Sequence, residues 1–226
     1  MHCRIIDFHD TTHVRGAAVV VDVLRACTTA ALATLAGAEA IVPVADAETG
    51  RRLRAQSPSS LLVGEIAGKK PLDFDVGNSP AEVARVARGR RIILSTGSGA
   101  PTLASVPIEP GPVLAGCFVN AGATARVLRD LRPDRVTIVV TGTHCGWDGD
   151  EDRAFAEYLA CLVRGERPDP TPYLERVRRS VAARNLLDPR HPEFAPADLA
   201  CALGLDTAGV ALCLRERPGA RALVPA

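Results

Sequence analysis

Aromatic side chains are scarce in this chain, 4% of its 226 residues, and methionine and tryptophan occur once each. A core must therefore be built from alanine, valine, leucine and isoleucine, and a 47% hydrophobic share supplies enough of them for a folded unit. Long apolar runs are missing too. The most alanine-rich stretch, 30–44, is broken by Gly37, Glu39 and Pro43, so nothing reads as a membrane span. The first ten residues carry Asp7, His9 and Asp10 where a secretory signal would have a basic segment and an apolar run.

Net charge is missing as well. With 27 basic against 26 acidic residues the formal charge is +1, which gives no global field for nucleic acid or a membrane surface. Any anionic partner has to be held by a local cluster. Lysine is confined to Lys69 and Lys70, so arginine supplies almost all the positive charge. Seven cysteines, an odd number at irregular spacing, do not make a disulfide framework. They read as small hydrophobes in a reducing compartment, and the expectation is a cytoplasmic protein.

What is present is an alternation. Short runs rich in valine and isoleucine at 17–21, 40–44, 61–63, 91–94, 113–117 and 136–140 read as strands buried on both faces. Helix-like stretches at 28–36, 46–56, 80–88, 121–131 and 151–164 lie between them. This order predicts an α/β fold of three layers, α/β/α, around a mostly parallel sheet. No repeat or low-complexity linker divides the chain, so residues 1–226 are expected to form one domain. Within it, 1–165 carry the motifs. Residues 166–226, opened by Pro168, Pro170 and Pro172, are expected to cap the same unit with a basic helix at 173–187, a last helix and one or two edge strands.

In open parallel sheets ligands bind beyond the carboxyl ends of strands, so the residues just after each run are the ones to read. The first run leads into Asp22 and Arg25, a carboxylate able to bind a metal or take a proton and a guanidinium fork able to grip phosphate. The alternative is that the two only satisfy the loop and each other. The third run ends at Glu65, followed by a polar loop holding Asp75 and Asn78. Ser79, Pro80 and Glu82 then form a helix start, with Ser79 as cap and amides able to meet an anion.

The fourth run leads into Thr96, Gly97 and Ser98, small residues that let amides approach an oxyanion, without the Lys-Ser or Lys-Thr of a nucleotide P-loop. The fifth ends at Asn120, placed to cap the next helix or to touch substrate. The sixth leads through His144 and Cys145 to Asp148, Asp150, Glu151 and Asp152. Acids there favour the helix dipole, but so many carboxylates repel unless a cation or basic groups offset them. The spacing fails as an EF-hand, and magnesium, which needs only one or two carboxylates, suits it better. Two phosphatase patterns are rejected: Cys161 and Arg167 have the Cys-x5-Arg spacing, but Cys161 lies within the helix-like run 155–164, and Asp73 and Asp75 follow no strand.

Taken in order, VVVDVLRACTTA, VGE, FDVGNSPAEV, STGSGAPTL, GCFVNAGATA and GDEDRAFA resemble the 2-phosphosulfolactate phosphatase family over residues 17–163. The resemblance implies a magnesium-dependent hydrolase acting on a small, strongly acidic phosphate ester. Asp22, Arg25, Glu65, Asp75, Asn78, Ser79, Asn120, Glu151 and Asp152 fall on signature positions. Catalysis is expected of Asp22, Arg25, Glu65 and Asp75. Substrate contacts are expected of Arg25, Asn78, Ser79, Thr96, Gly97, Ser98 and Asn120, and Mg²⁺ ligation of Asp22, Glu151 and Asp152. The chain departs from the family pattern at Ile66, Ser98, Ala100 and Glu157. The departures at Ile66, Ser98 and Ala100 keep open a binding protein for a small anionic metabolite as the alternative. Self-association is left open.

Overall fold

A computed structural model describes residues 1–108, 111–143 and 147–226. His144 and Cys145, read above as part of the acidic loop, lie outside the described residues.

Each valine- and isoleucine-rich run forms a strand. They are β2 (Ala17–Val21), β3 (Ala40–Pro43), β4 (Leu61–Gly64), β5 (Arg91–Ser95), β6 (Val113–Gly116) and β7 (Arg135–Val140). An additional strand, β1 (His2–Asp7), pairs in parallel with β7. Its alternating exposed and half-buried residues are those of an edge strand, which is why no continuous apolar run announces it. The helices between strands are α1 (Ala26–Leu35), α2 (Ala47–Gln56), α3 (Pro80–Val86), α4 (Gly99–Ser105), α5 (Ala121–Leu131) and α6 (Asp150–Val163). Asp46 caps α2 by accepting from the Thr49 amide, and Ser79 caps α3 by accepting from that of Glu82.

The basic stretch predicted as one helix is two, α7 (Thr171–Arg179) and α8 (Val181–Leu187). Ser180 divides them: its extended backbone ends the first, and its hydroxyl accepts from the Ala183 amide to start the second. A short α9 (Ala197–Ala202) precedes β8 (Leu212–Arg217) and β9 (Ala220–Pro225).

The sheet is mostly parallel and α/β, with strand order β1-β7-β2-β6-β8-β9-β3-β5-β4. The expectation of edge strands at the C-terminus is overturned, because β8 and β9 lie in the middle. Half of β8, Leu212 to Leu214, is buried against β6, while Arg215, Glu216 and Arg217 project with the hairpin turn. The charged half gave the sequence its edge-like look.

Because β6–β8, β8–β9 and β9–β3 are antiparallel pairings, the trio β3, β5, β4 runs against the quartet β1, β7, β2, β6. Both groups nevertheless bring their carboxyl ends to one place. Gly99, which follows β5, lies against the carboxylate of Asp22, which follows β2. Both faces of the trio are covered: Ile41, Leu61, Val63, Ile92 and Leu94 enter the main core. Val42, Leu62 and Ile93 pack with Phe74 on the opposite face, where Leu53 of α2 covers them. Among the described residues no helix is long and apolar enough to cross a membrane.

Candidate active site

At the meeting of the strand ends lies a cavity of about 390 Å³. Asp22 follows β2, Thr141 and Gly142 follow β7, Glu65 follows β4, and Thr96, Gly97 and Ser98 follow β5; all line it, with Arg25, Asn78, Glu151 and Asp152. Leu24, Trp147, Leu186 and Phe194 give it an apolar side.

Three of the acids are buried. Asp152 sits in the first turn of α6 and spans two strand ends: Oδ1 accepts from the Val23 amide at 2.7 Å and Oδ2 from the Thr141 amide at 3.1 Å. These bonds fix the loops after β2 and β7, which is a framework role as much as a chemical one. Asp22 Oδ1 accepts from the Ala26 amide at 2.9 Å at the start of α1. Its other oxygen lies against Gly99, where any Cβ would collide with it, so only glycine lets α4 approach so closely. Gly142 has a similar part, since a Cβ there would come within 2.8 Å of a Glu151 carboxylate oxygen. Glu151 keeps its other oxygen, Oε2, buried without any hydrogen-bond partner.

The electrostatics follow from this crowding. Burial pushes the Asp22 carboxyl up to about 6, Glu65 nearby adds to the rise, and the Ala26 amide and Arg25 oppose it. Burial pushes Glu151 up to about 7, helped by the charges of Asp148 and Asp22 and opposed by hydrogen bonds from its own amide and from Ser180. Asp152 is raised well above the usual carboxylate range by burial and by the other two acids.

Among the described residues no three His, Cys, Asp or Glu side chains converge as a preformed metal cage. Magnesium does not demand one, because one or two carboxylates with substrate oxygens and water complete its shell. The orphaned Glu151 oxygen and the mutually raised acids fit such an ion.

The remaining predicted residues divide. Arg25 is buried at the wall, donating from Nη1 to Asp198 Oδ2 at 3.0 Å with its guanidinium carbon 4.9 Å from the centre of the Phe194 ring. Glu65 braces two loops, accepting from Gly97 N at 2.7 Å and Gly68 N at 2.5 Å, so the Gly97 amide is already committed. Thr96 Oγ1 accepts from Ala100 N, and Asn78 Oδ1 accepts from the Thr29 hydroxyl.

Asp75, Ser79 and Asn120 are not among the lining residues. Asp75 accepts from Leu62 N and pairs with Arg54, pinning the 66–80 loop along β4. Ser79 donates to Asp198 Oδ1 at 2.6 Å. Asn120, wholly buried, accepts from Cys117 N and donates to Ala115 O, closing a 3-10 turn before α5. Asp150 and Glu157 pair with Arg176 and tie α7 to α6, which gives that arginine a structural place. Asp198 and Phe194 had no signal in the sequence, since neither follows a strand; only the fold carries their segment back over Arg25.

Comparison with known proteins bears on this cavity. The model of the 2-phosphosulpholactate phosphatase family matches residues 3–188. The chain belongs to that family. A relative from Thermosynechococcus vestitus is 37% identical over 75% of this chain and 70% of its own length. One from Carboxydothermus hydrogenoformans is 40% identical over 67% of this chain and 62% of its own. One from Thermoplasma acidophilum is 31% identical over 73% and 74%. Each is named a probable 2-phosphosulfolactate phosphatase. Asp22, Arg25, Glu65, Asn78, Glu151 and Asp152 all lie inside the matched stretch, while Phe194, which also lines the cavity, lies beyond it.

Proposed function

We propose that this chain is a phosphoric monoester hydrolase that uses Mg²⁺ to release phosphate from a small acidic ester, with 2-phosphosulfolactate as the first candidate. The observation that carries this is the trio of buried acids, Asp22, Glu151 and Asp152, sharing one cavity with Arg25 in a member of this family. A cavity that gathers buried acids beside the Arg25 guanidinium suits a cation and an anion bound together.

Asp22 and the unpartnered oxygen of Glu151 would hold the ion, with Asp152 fixing the loops that carry Asp22 and Thr141. Bound there, the ion would neutralise phosphate charge and make water a better nucleophile. Arg25 supplies donors to the anionic oxygens, and its stacking on Phe194 restricts where they point. Trp147, Leu186 and Phe194 limit bulk water around the ester. In the net reaction a water oxygen bonds to phosphorus, the ester P–O bond breaks, and one proton passes from water to the departing oxygen.

The test is phosphate release from 2-phosphosulfolactate, phospholactate and other small esters, with Mg²⁺ and with EDTA. Metal-dependent release that disappears in Asp22→Asn, with folding retained, is the expected result. Near-normal turnover in that variant removes Asp22 from the chemistry. Tight ester binding with no phosphate release replaces the hydrolase with a binding protein.

A further inference from the structure

Asp198 is a buried acid beside the cavity that the proposed chemistry does not use. It lies on α9, is wholly buried, and faces the cavity's arginine and not the cavity itself. Its two oxygens are both occupied: Oδ2 accepts from Arg25 Nη1 at 3.0 Å and Oδ1 from Ser79 Oγ at 2.6 Å. Ser79 is in turn fixed as the cap of α3. The acid is therefore anchored to a helix start on one side and directs a guanidinium on the other.

Phe194, four residues earlier, lies 4.9 Å under the same guanidinium. It also packs on the turn that Glu65 holds, since a Cβ on Gly68 would meet its ring at 3.0 Å. One C-terminal segment thus fixes Arg25 twice, in plane through stacking and in rotation through a charged hydrogen bond. Both residues lie beyond 3–188, the stretch over which the family match runs.

We propose that Asp198 and Phe194 are positioning residues that aim Arg25 at the phosphate of the bound ester. A charged hydrogen bond takes up one guanidinium nitrogen and leaves the other donors of the fork in a fixed direction. Asp198 also lowers the free charge of Arg25, so its purpose is geometry at the expense of raw attraction. The inference rests on the proposed anion-binding role of Arg25 but not on turnover.

The test is a double-mutant cycle read by calorimetric binding of inorganic phosphate in the presence of Mg²⁺, with phosphate-ester KM and kcat measured alongside. Asp198→Asn should weaken phosphate binding about tenfold and raise KM by a similar factor, with kcat changed by less than about threefold. In an Arg25→Lys background the same substitution should have almost no further effect, because the fork that Asp198 directs is gone.

Equal losses in both backgrounds would show that Asp198 only supports the fold, and would overturn the proposal. So would tighter phosphate binding by Asp198→Asn, which would mean that its charge outweighs its aim, or no phosphate binding by the wild-type chain. Should Asp198→Asn fail to fold, Phe194→Leu carries the same cycle without disturbing a buried charge, with the same two outcomes. A wild-type chain that binds phosphate and shows this coupling but releases none from any ester would remove the hydrolase reading alone.

Discussion

Replacing Glu151 by glutamine removes a charge that the metal-free fold buries at a cost. The carboxyl is 1% exposed, one of its oxygens has no partner, and its pKa is raised from 4.5 to about 7. At about 1.4 kcal/mol per pH unit, the ionised form is disfavoured in the folded state by about 3 kcal/mol. The sign follows from which state holds the proton. Below about pH 4.5 both folded and unfolded chains carry it and there is no penalty. Between about 4.5 and 7 the unfolded chain has lost it while the folded chain keeps it, so stability falls as pH rises. Above about 7 the folded chain is ionised too, and the full penalty persists.

Glu151→Gln should therefore match wild type near pH 4. In EDTA at pH 8 it should be more stable by about 3 kcal/mol, or roughly 6–12 °C in Tm for a chain of this size. Relief of the raised carboxyls of Asp22 and Asp152 acts in the same direction. Mg²⁺ should narrow the gap by stabilising wild type, by about 2.7 kcal/mol when present at a hundred times its Kd, and should do less for the variant. Calorimetric melting at both pH values, with EDTA and with Mg²⁺, reads all of this. An equal Tm for both proteins at pH 8 in EDTA, or the same offset at pH 4 and pH 8, would refute the reasoning.

Two further substitutions separate the cavity from its frame. Gly99→Ala puts a Cβ against Asp22 and within 2.8 Å of the Ala26 Cβ, so phosphate release should fall at least about a hundredfold, with a stability loss of about 1–3 kcal/mol by urea titration. Asn120→Ala leaves the Cys117 amide and the Ala115 carbonyl unpaired; stability should drop by about 2–4 kcal/mol while the KM of the folded enzyme stays within about twofold, and a large KM change would return Asn120 to the substrate.

How much was legible depended on what each signal reports. Strands buried on both faces announce themselves as valine and isoleucine runs, and β2 has the bounds that its run gives. Edge strand β1 has no such run, and β8 and β9 hide a central position behind a charged hairpin tip. In the site, the strand-end rule brought Asp22, Arg25, Glu65 and the 96–98 loop to one cavity, because it follows from how helices leave a sheet. It also swept in Asp75, whose carboxylate holds the Leu62 amide. Sequence order separates residues that follow strands from those that do not. It cannot tell an acid that faces ligand from one that satisfies a neighbouring amide.

The central hairpin explains why the site needs both ends of the chain. β8 and β9 join the two oppositely directed groups of strands, and the loop after β2 meets the loop after β5 where Gly99 lies against Asp22. The segment leading to that hairpin must cross the carboxyl ends on its way, and in crossing it lays Phe194 and Asp198 over Arg25. Completing the sheet and aiming the arginine are thus consequences of one chain path. A chain ending at residue 188, where the family match stops, would lose the joint between its halves as well as the partners of its cavity cation. The residues beyond the match are therefore as much a part of the site as the acids that the match contains.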